Sequence, residues 1–263
     1  SIVLMRASHS VPVDPPYVAS VRASQPIQLY TELPPEDTVW TVIGEGEVDE
    51  NGLFTPPAQP TSRVSVVRCT YMFGGNPLMS GFSIIQLSEQ VMPDPTWSEL
   101  DDFSIVAVLG QNRCFHNGFQ QIPVIVKIQT RSVTVGGQQV YIPVSDAELS
   151  TLQLVDKVSN TLVPYVRFGQ EGIERGSGVT WAANKRRNRF RLYSATAVAS
   201  EEPELPTPQN NGVRYRELWI HLAEEGSRTF YAQFSSDKGI FNSTEAGDAA
   251  EGEITVQGLV VPT

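Results

Sequence analysis

Turn signals recur so often in the first third of this chain that it reads as a succession of short strands. Pro34-Pro35-Glu36-Asp37, Asn51-Gly52, Pro56-Pro57 and Gly74-Gly75-Asn76-Pro77 punctuate it. Between them lie runs with the two-residue period of a strand packed on one face, over residues 17–22, 27–33, 38–43, 63–72 and 81–87. In 63–72, Val64, Val67, Cys69 and Tyr71 alternate imperfectly with polar neighbours. Asn-Gly supplies the positive φ angles that tight hairpins demand. Strands this short at this spacing predict a β-sandwich, and no helical period competes. The 20 glycines and 19 prolines follow no period, which excludes a collagen helix.

Length and charge set the outer limits. The 263 residues suffice for two domains with separate cores. With 40% hydrophobic and 18% charged residues, the chain is ordered but lightly charged, which argues against disorder, a coiled coil or a charged helical bundle. A net charge of -10 repels nucleic-acid phosphates and anionic membranes, so neither is expected as a partner. No apolar run reaches the ~18 residues of a membrane-spanning helix. The opening SIVLMRASHSVP is too short in apolar residues for a signal-peptide core, and it starts at Ser1. The chain therefore reads as part of a longer polypeptide. Cys69 and Cys114 are no disulfide framework: they are two small buried thiols, or a bridge linking the two domains.

The run Trp40-Thr41-Val42-Ile43-Gly44-Glu45-Gly46-Glu47-Val48-Asp49-Glu50-Asn51-Gly52-Leu53-Phe54-Thr55-Pro56-Pro57-Ala58 resembles the central signature of bacterial Ig-like domains. In that family a strand bearing a core tryptophan leads through a glycine-rich turn and an acidic hairpin ending in Asn-Gly to an aromatic-Thr-Ala-Pro segment. Residues 25–29 and 63–71 fall where the family places its second and sixth strands, and Pro56 stands where alanine is usual. The resemblance covers residues 15–90, about a third of the chain. It implies an Ig-like sandwich over residues 1–91, of a kind found in bacterial surface, secreted or phage-tail proteins, with Trp40 in the core. It implies no catalytic residues.

A linker, Met92-Pro93-Asp94-Pro95-Thr96, cannot continue a helix or a paired central strand. It opens a second domain, 92–263, with strand patterns at 103–109, 123–130, 139–143, 179–182, 187–194, 215–223, 227–235 and 253–260. Residues 117–126 are loosely similar to the opening strand of Ig-like repeats in bacterial adhesins. One helix is expected over 146–161. Ser145 and Glu148 form a capping box, Leu149, Leu152, Val155, Val158 and Leu162 make an apolar face, and Pro164 ends it. The acidic, proline-rich stretch 201–211 reads as a loop. The fold expected is all-β: an Ig-like sandwich, then a larger sandwich-like domain with one helix.

Catalytic patterns are missing: no Gly-x-Ser-x-Gly elbow, no His-Glu-x-x-His helix and no phosphate-binding glycine loop. His9, His116 and His221 have no ligand-like spacing, and His221 is expected to point out of its sheet or pack beside Trp219. Cys114 and His116 alone make no metal site. Asp101-Asp102 and Glu224-Glu225 read as solvated turn residues, since adjacent side chains on a strand point to opposite faces. Glu47, Asp49 and Asn51 offer oxygens to calcium, but hairpin geometry explains the same letters. No cofactor and no metal is expected.

The basic run Lys185-Arg186-Arg187-Asn188-Arg189-Phe190-Arg191 is the strongest candidate site. As a strand it would align Arg187, Arg189 and Arg191 on one face, able to grip sulfate, phosphate or carboxylate of a glycan or acidic protein. The same arginines could equally pair with acidic loops of the chain. Trp181 and Tyr193 flank them as a possible sugar platform, with core packing as the competing role. Trp97 reads as a plug between the domains. The expectation is a non-catalytic structural and adhesion module of a larger bacterial surface, secreted or phage-particle protein. Such a module would be extracellular or at a cell surface, meeting protein or glycan. The alternatives are a soluble, toxin-like carbohydrate- or receptor-binding module using Arg187–Arg191, and a hydrolase with an Ig-like accessory unit.

Overall fold

The computed structural model describes residues 11–21, 26–87, 95–108, 111–166, 170–193, 211–246 and 251–261. His9, most of the linker and all but the last residue of the acidic loop lie outside them. The chain is all-β and falls into two compact units that meet in sequence at residues 93 and 94.

The first unit has two sheets. One runs in the order β1 (Tyr17–Val21), β7 (Asn76–Leu87), β6 (Val64–Phe73), β3 (Thr38–Ile43). The other runs β2 (Ile27–Gln28), β5 (Leu53–Thr55), β4 (Glu47–Val48). Third, sixth and seventh strands on one face with second, fourth and fifth on the other is the immunoglobulin-like arrangement. The first strand lies parallel to the last, Tyr17 opposite Ile84. Alternation along β6 buries Ser65, Val67 and Cys69, and Ile27, Leu29, Phe54 and Ile85 of the same unit are buried as well. Val64 points the other way and is exposed, against the sequence alternation. Gly74 and Gly75, at φ 58° and 80°, close the β6–β7 hairpin as the sequence requires. Trp40 is half-buried rather than fully in the core, its ring lying over Gly52.

The second unit packs two sheets over one core. The first is β15 (Trp181–Asn184), β16 (Val213–Leu222), β10 (Ile122–Thr130), β8 (Leu100–Ala107). The second is β14 (Thr161–Leu162), β13 (Gln153–Asp156), β17 (Gly226–Ser236), β19 (Glu253–Leu259), β9 (Arg113–Phe115), with β18 (Gly239–Asn242) on β17. A separate hairpin joins β11 (Val133–Val135) to β12 (Gln138–Val140). Val124, Val126, Ile128 and Ile220 face Leu154, Phe230, Phe234 and Val256 across the core. Each such burial contributes about 1.5–3 kcal/mol.

Two expectations are corrected here. The helix α1 spans only Asp146–Ser150, not 146–161. Its capping box is present as read, but the chain turns at Thr151 and enters β13, where Leu154 and Val155 pair with Ala232 and Tyr231. A strand pairing in the core outweighs a three- and four-residue spacing, and Val158 and Leu162 are left exposed. Trp97 is a core residue of the second unit. It lies edge-on to Phe241 at 5.1 Å, and its indole N–H donates to both Glu148 carboxylate oxygens. Cys69 and Cys114 are both free and buried, so neither serves in a bridge.

Candidate ligand-binding surface

The basic run is not a strand. Two asparagines bend it: Asn184 Oδ1 accepts from the Arg186 amide, and Asn188 Oδ1 accepts from the Phe190 amide. Such side-chain turns compete with strand pairing. The predicted row of Arg187, Arg189 and Arg191 on one strand face therefore does not form, although all three arginines are exposed.

The segment is nevertheless tied down. Asn188 Nδ2 donates to the Phe119 and Glu171 carbonyls at 2.7 and 2.6 Å, and its amide donates to Gln121 Oε1. That last bond orients Gln121, whose Nε2 donates to the Arg186 carbonyl and faces His221 Nε2 at 3.3 Å. An N–H donor on Nε2 puts the imidazole proton on Nδ1 and requires a neutral ring. His221 is fully buried on the outer side of β16, as one of the two sequence readings has it, and desolvation pushes its pKa down to about 4 against a smaller opposing effect of the Gly118 backbone. Arg189 meets the Glu171 carboxylate at 3.6 Å, a long and solvent-exposed ion pair.

The aromatic residues separate. Trp181 is half-buried and packs against the core, 6.4 Å from Phe230, with the Arg228 guanidinium over its ring at 4.3 Å. Tyr193 stays with the arginines, perpendicular to Phe115 at 5.4 Å. Phe190 packs on Phe119 at 5.4 Å, with Arg189 over its ring.

Other candidates resolve into structure. Asp49 Oδ1 accepts from the Asn51 and Leu53 amides, which makes it the turn former of its hairpin. The Glu45 carboxylate takes donors from Thr61 and Ser62 and is held below the usual carboxylate range by them. Asp101 and Asp102 lie in β8, not in a solvated turn, and are engaged by Arg131 and Lys127. Glu224 pairs with Arg228. Burial pushes the Cys114 thiol up to about 12, so it remains protonated and unreactive near neutrality. Among the described residues no group of three or more His, Cys, Asp or Glu could hold a metal ion, and no helix is long and apolar enough to cross a membrane.

No protein-family profile and no curated protein sequence matches the chain. Solved structures that it is similar to include the D00-D0 domain of intimin, at 10% identity and TM-score 0.24, covering 95% of this chain and 99% of that one. Domains 4 and 5 of the S-layer protein SbsC align at 10% identity and TM-score 0.22, with 96% of each chain covered. Extracellular cadherin domains 3-6 of protocadherin gamma B2 align at 10% identity and TM-score 0.24, covering 94% of this chain and 47% of that one. Scores this low establish no common topology, and the fold class stands on the strands and sheets described above.

Proposed function

We propose that this chain is a non-catalytic structural and adhesion module of a larger bacterial surface or secreted protein, in which the second unit presents a recognition surface for protein or glycan outside the cell. The observation that carries the reading is the segment around Asn188. It is exposed at Arg187, Arg189 and Arg191, yet it is held by hydrogen bonds of Asn188 and Gln121 that tie it to two other segments, around 119–121 and at Glu171. A loop fixed before its ligand arrives loses less entropy on binding, and rigid sandwiches commonly carry their contacts on such loops. The test is binding of the labelled full chain to whole cells at low and high salt. Binding that fades with salt and with Arg189→Ala supports the reading; a chain that binds no cell surface, or binds unchanged in the variant, overturns it.

A further inference from the structure

We propose that the arginine segment is one part of a wider surface that binds a linear acidic polysaccharide, and that Arg113, remote in sequence, belongs to it. This rests on the recognition reading above and names its ligand class.

The Gln120 side chain joins the two regions. Its Oε1 accepts from the Phe115 amide at 2.9 Å and its Nε2 donates to the Arg191 carbonyl at 3.2 Å. The Phe115 and Tyr193 rings then meet at right angles. Arg113 is two residues before Phe115 on β9, an edge strand, so the two side chains share a face, and Arg113 is exposed. Arg113 therefore stands beside the Phe115–Tyr193 pair on one strand, and Arg191 on the neighbouring segment. Beyond Arg191 comes the second pair, Phe119 with Phe190, and Arg189 lies over it. The exposed Arg113, Arg189 and Arg191 thus belong to the same two linked segments as the aromatic pairs Phe115 with Tyr193 and Phe119 with Phe190. Each of these rings is half-buried, leaving part of it open.

A polymer of uronic or sulfated sugars offers partners for both kinds of group, apolar C–H ring faces for the rings and anionic groups for the arginines. Planar guanidinium groups bind carboxylate and sulfate through two parallel hydrogen bonds. Duplex DNA fits less well, because its bases are stacked inside the helix and leave no ring faces open to the aromatic pairs. The Glu171 carboxylate already occupies the Arg189 end, 3.6 Å from its guanidinium and accepting from its amide at 3.3 Å. It is an internal competitor that a ligand must displace.

The experiment is retention of the full chain on immobilised heparin, hyaluronan, neutral dextran and duplex DNA across about 50–200 mM salt. Retention is expected on heparin or hyaluronan and not on dextran. Arg113→Ala, Arg189→Ala and Arg191→Ala are each expected to weaken it about 3- to 5-fold and to lower the salt slope by about one. Glu171→Gln is expected to strengthen it. Near-UV circular dichroism confirms that each variant is folded. Failure to bind either acidic polysaccharide, equal retention on dextran or DNA, or an Arg113→Ala variant that binds like the parent overturns the proposal. Cell binding lost in Arg189→Ala, with none of the polysaccharides retained, would overturn this ligand class while leaving the recognition reading standing.

Discussion

Gly52 allows a sharp test of the first unit's packing. Its φ is +81°, and a Cβ there would lie 2.8 Å from the Leu29 carbonyl oxygen and 3.0 Å from the Trp40 ring. Gly75 has almost the same φ, +80°, but nothing within 4 Å of the added carbon. A left-handed alanine costs about 1–2 kcal/mol, offset by about 0.4–1 kcal/mol from a stiffer unfolded chain. Gly75→Ala should therefore destabilise by about 1 kcal/mol. Gly52→Ala carries the same backbone cost and adds a collision with a backbone oxygen held in the core, for which overpacking gives about 1–3 kcal/mol more. With a urea dependence near 1 kcal/mol per molar for a unit this small, the midpoint of Gly52→Ala should fall about 1–3 M below that of Gly75→Ala. Tryptophan fluorescence during urea unfolding reads this, since Trp40 is the one tryptophan of the first unit. Equal midpoints for the two variants would refute the argument, because only the collision distinguishes them.

Three further outcomes are expected from the site and the core. Asn188→Ala removes two donors to carbonyls of neighbouring segments; it should destabilise by about 1–3 kcal/mol and raise amide exchange across residues 186–191, while salt-sensitive binding weakens although every arginine remains. Because burial lowers the His221 pKa to about 4 from the unfolded value near 6.5, the unfolded chain binds the extra proton first. The stability that His221 contributes is whole above about pH 6.5 and shrinks as the pH falls towards 4, by up to about 3 kcal/mol. A His221→Gln variant measured by urea unfolding at pH 7 and pH 4.5 should lose that part of the pH dependence; an unchanged difference between the two pH values would contradict the buried neutral ring. With the Cys69 and Cys114 thiols pushed up to about 11 and 12, a thiol reagent at neutral pH should leave the native chain unlabelled and modify both residues in denaturant. Fast labelling of the native chain would count against their burial.

Local rules that the chain obeys were legible in its sequence. Gly52, Gly74 and Gly75 mark their turns because residues with a side chain rarely accept their positive φ angles cheaply, while Asn51 beside Gly52 has no positive φ, and β3 begins and ends where its alternation does. The capping box of Ser145 and Glu148 reads correctly for the same reason, being complete within four residues. The path of the chain beyond Ser150 was not legible. Leu149, Leu152 and Val155 are all buried from a single turn followed by a strand, so their spacing imitates a helix whose continuation is decided by β17, some eighty residues away. The arginine run failed as a strand for a local reason that was available: Asn184 and Asn188 are turn formers set four residues apart. The part played by Phe115 and Gln120 beside Arg191 depends on pairing across the fold, and no period or motif announces it.

The parallel pairing of the first unit's first and last strands has a mechanical meaning. The chain enters β1 and leaves β7 at opposite ends of one hydrogen-bonded ladder, Tyr17 beside Ile84 and Val21 beside Leu87. Tension applied through the flanking polypeptide therefore pulls the two strands past each other. All the bonds between them share the load at once, where an antiparallel terminal pair would open one bond at a time. A unit loaded through both of its ends resists force along the direction in which force arrives.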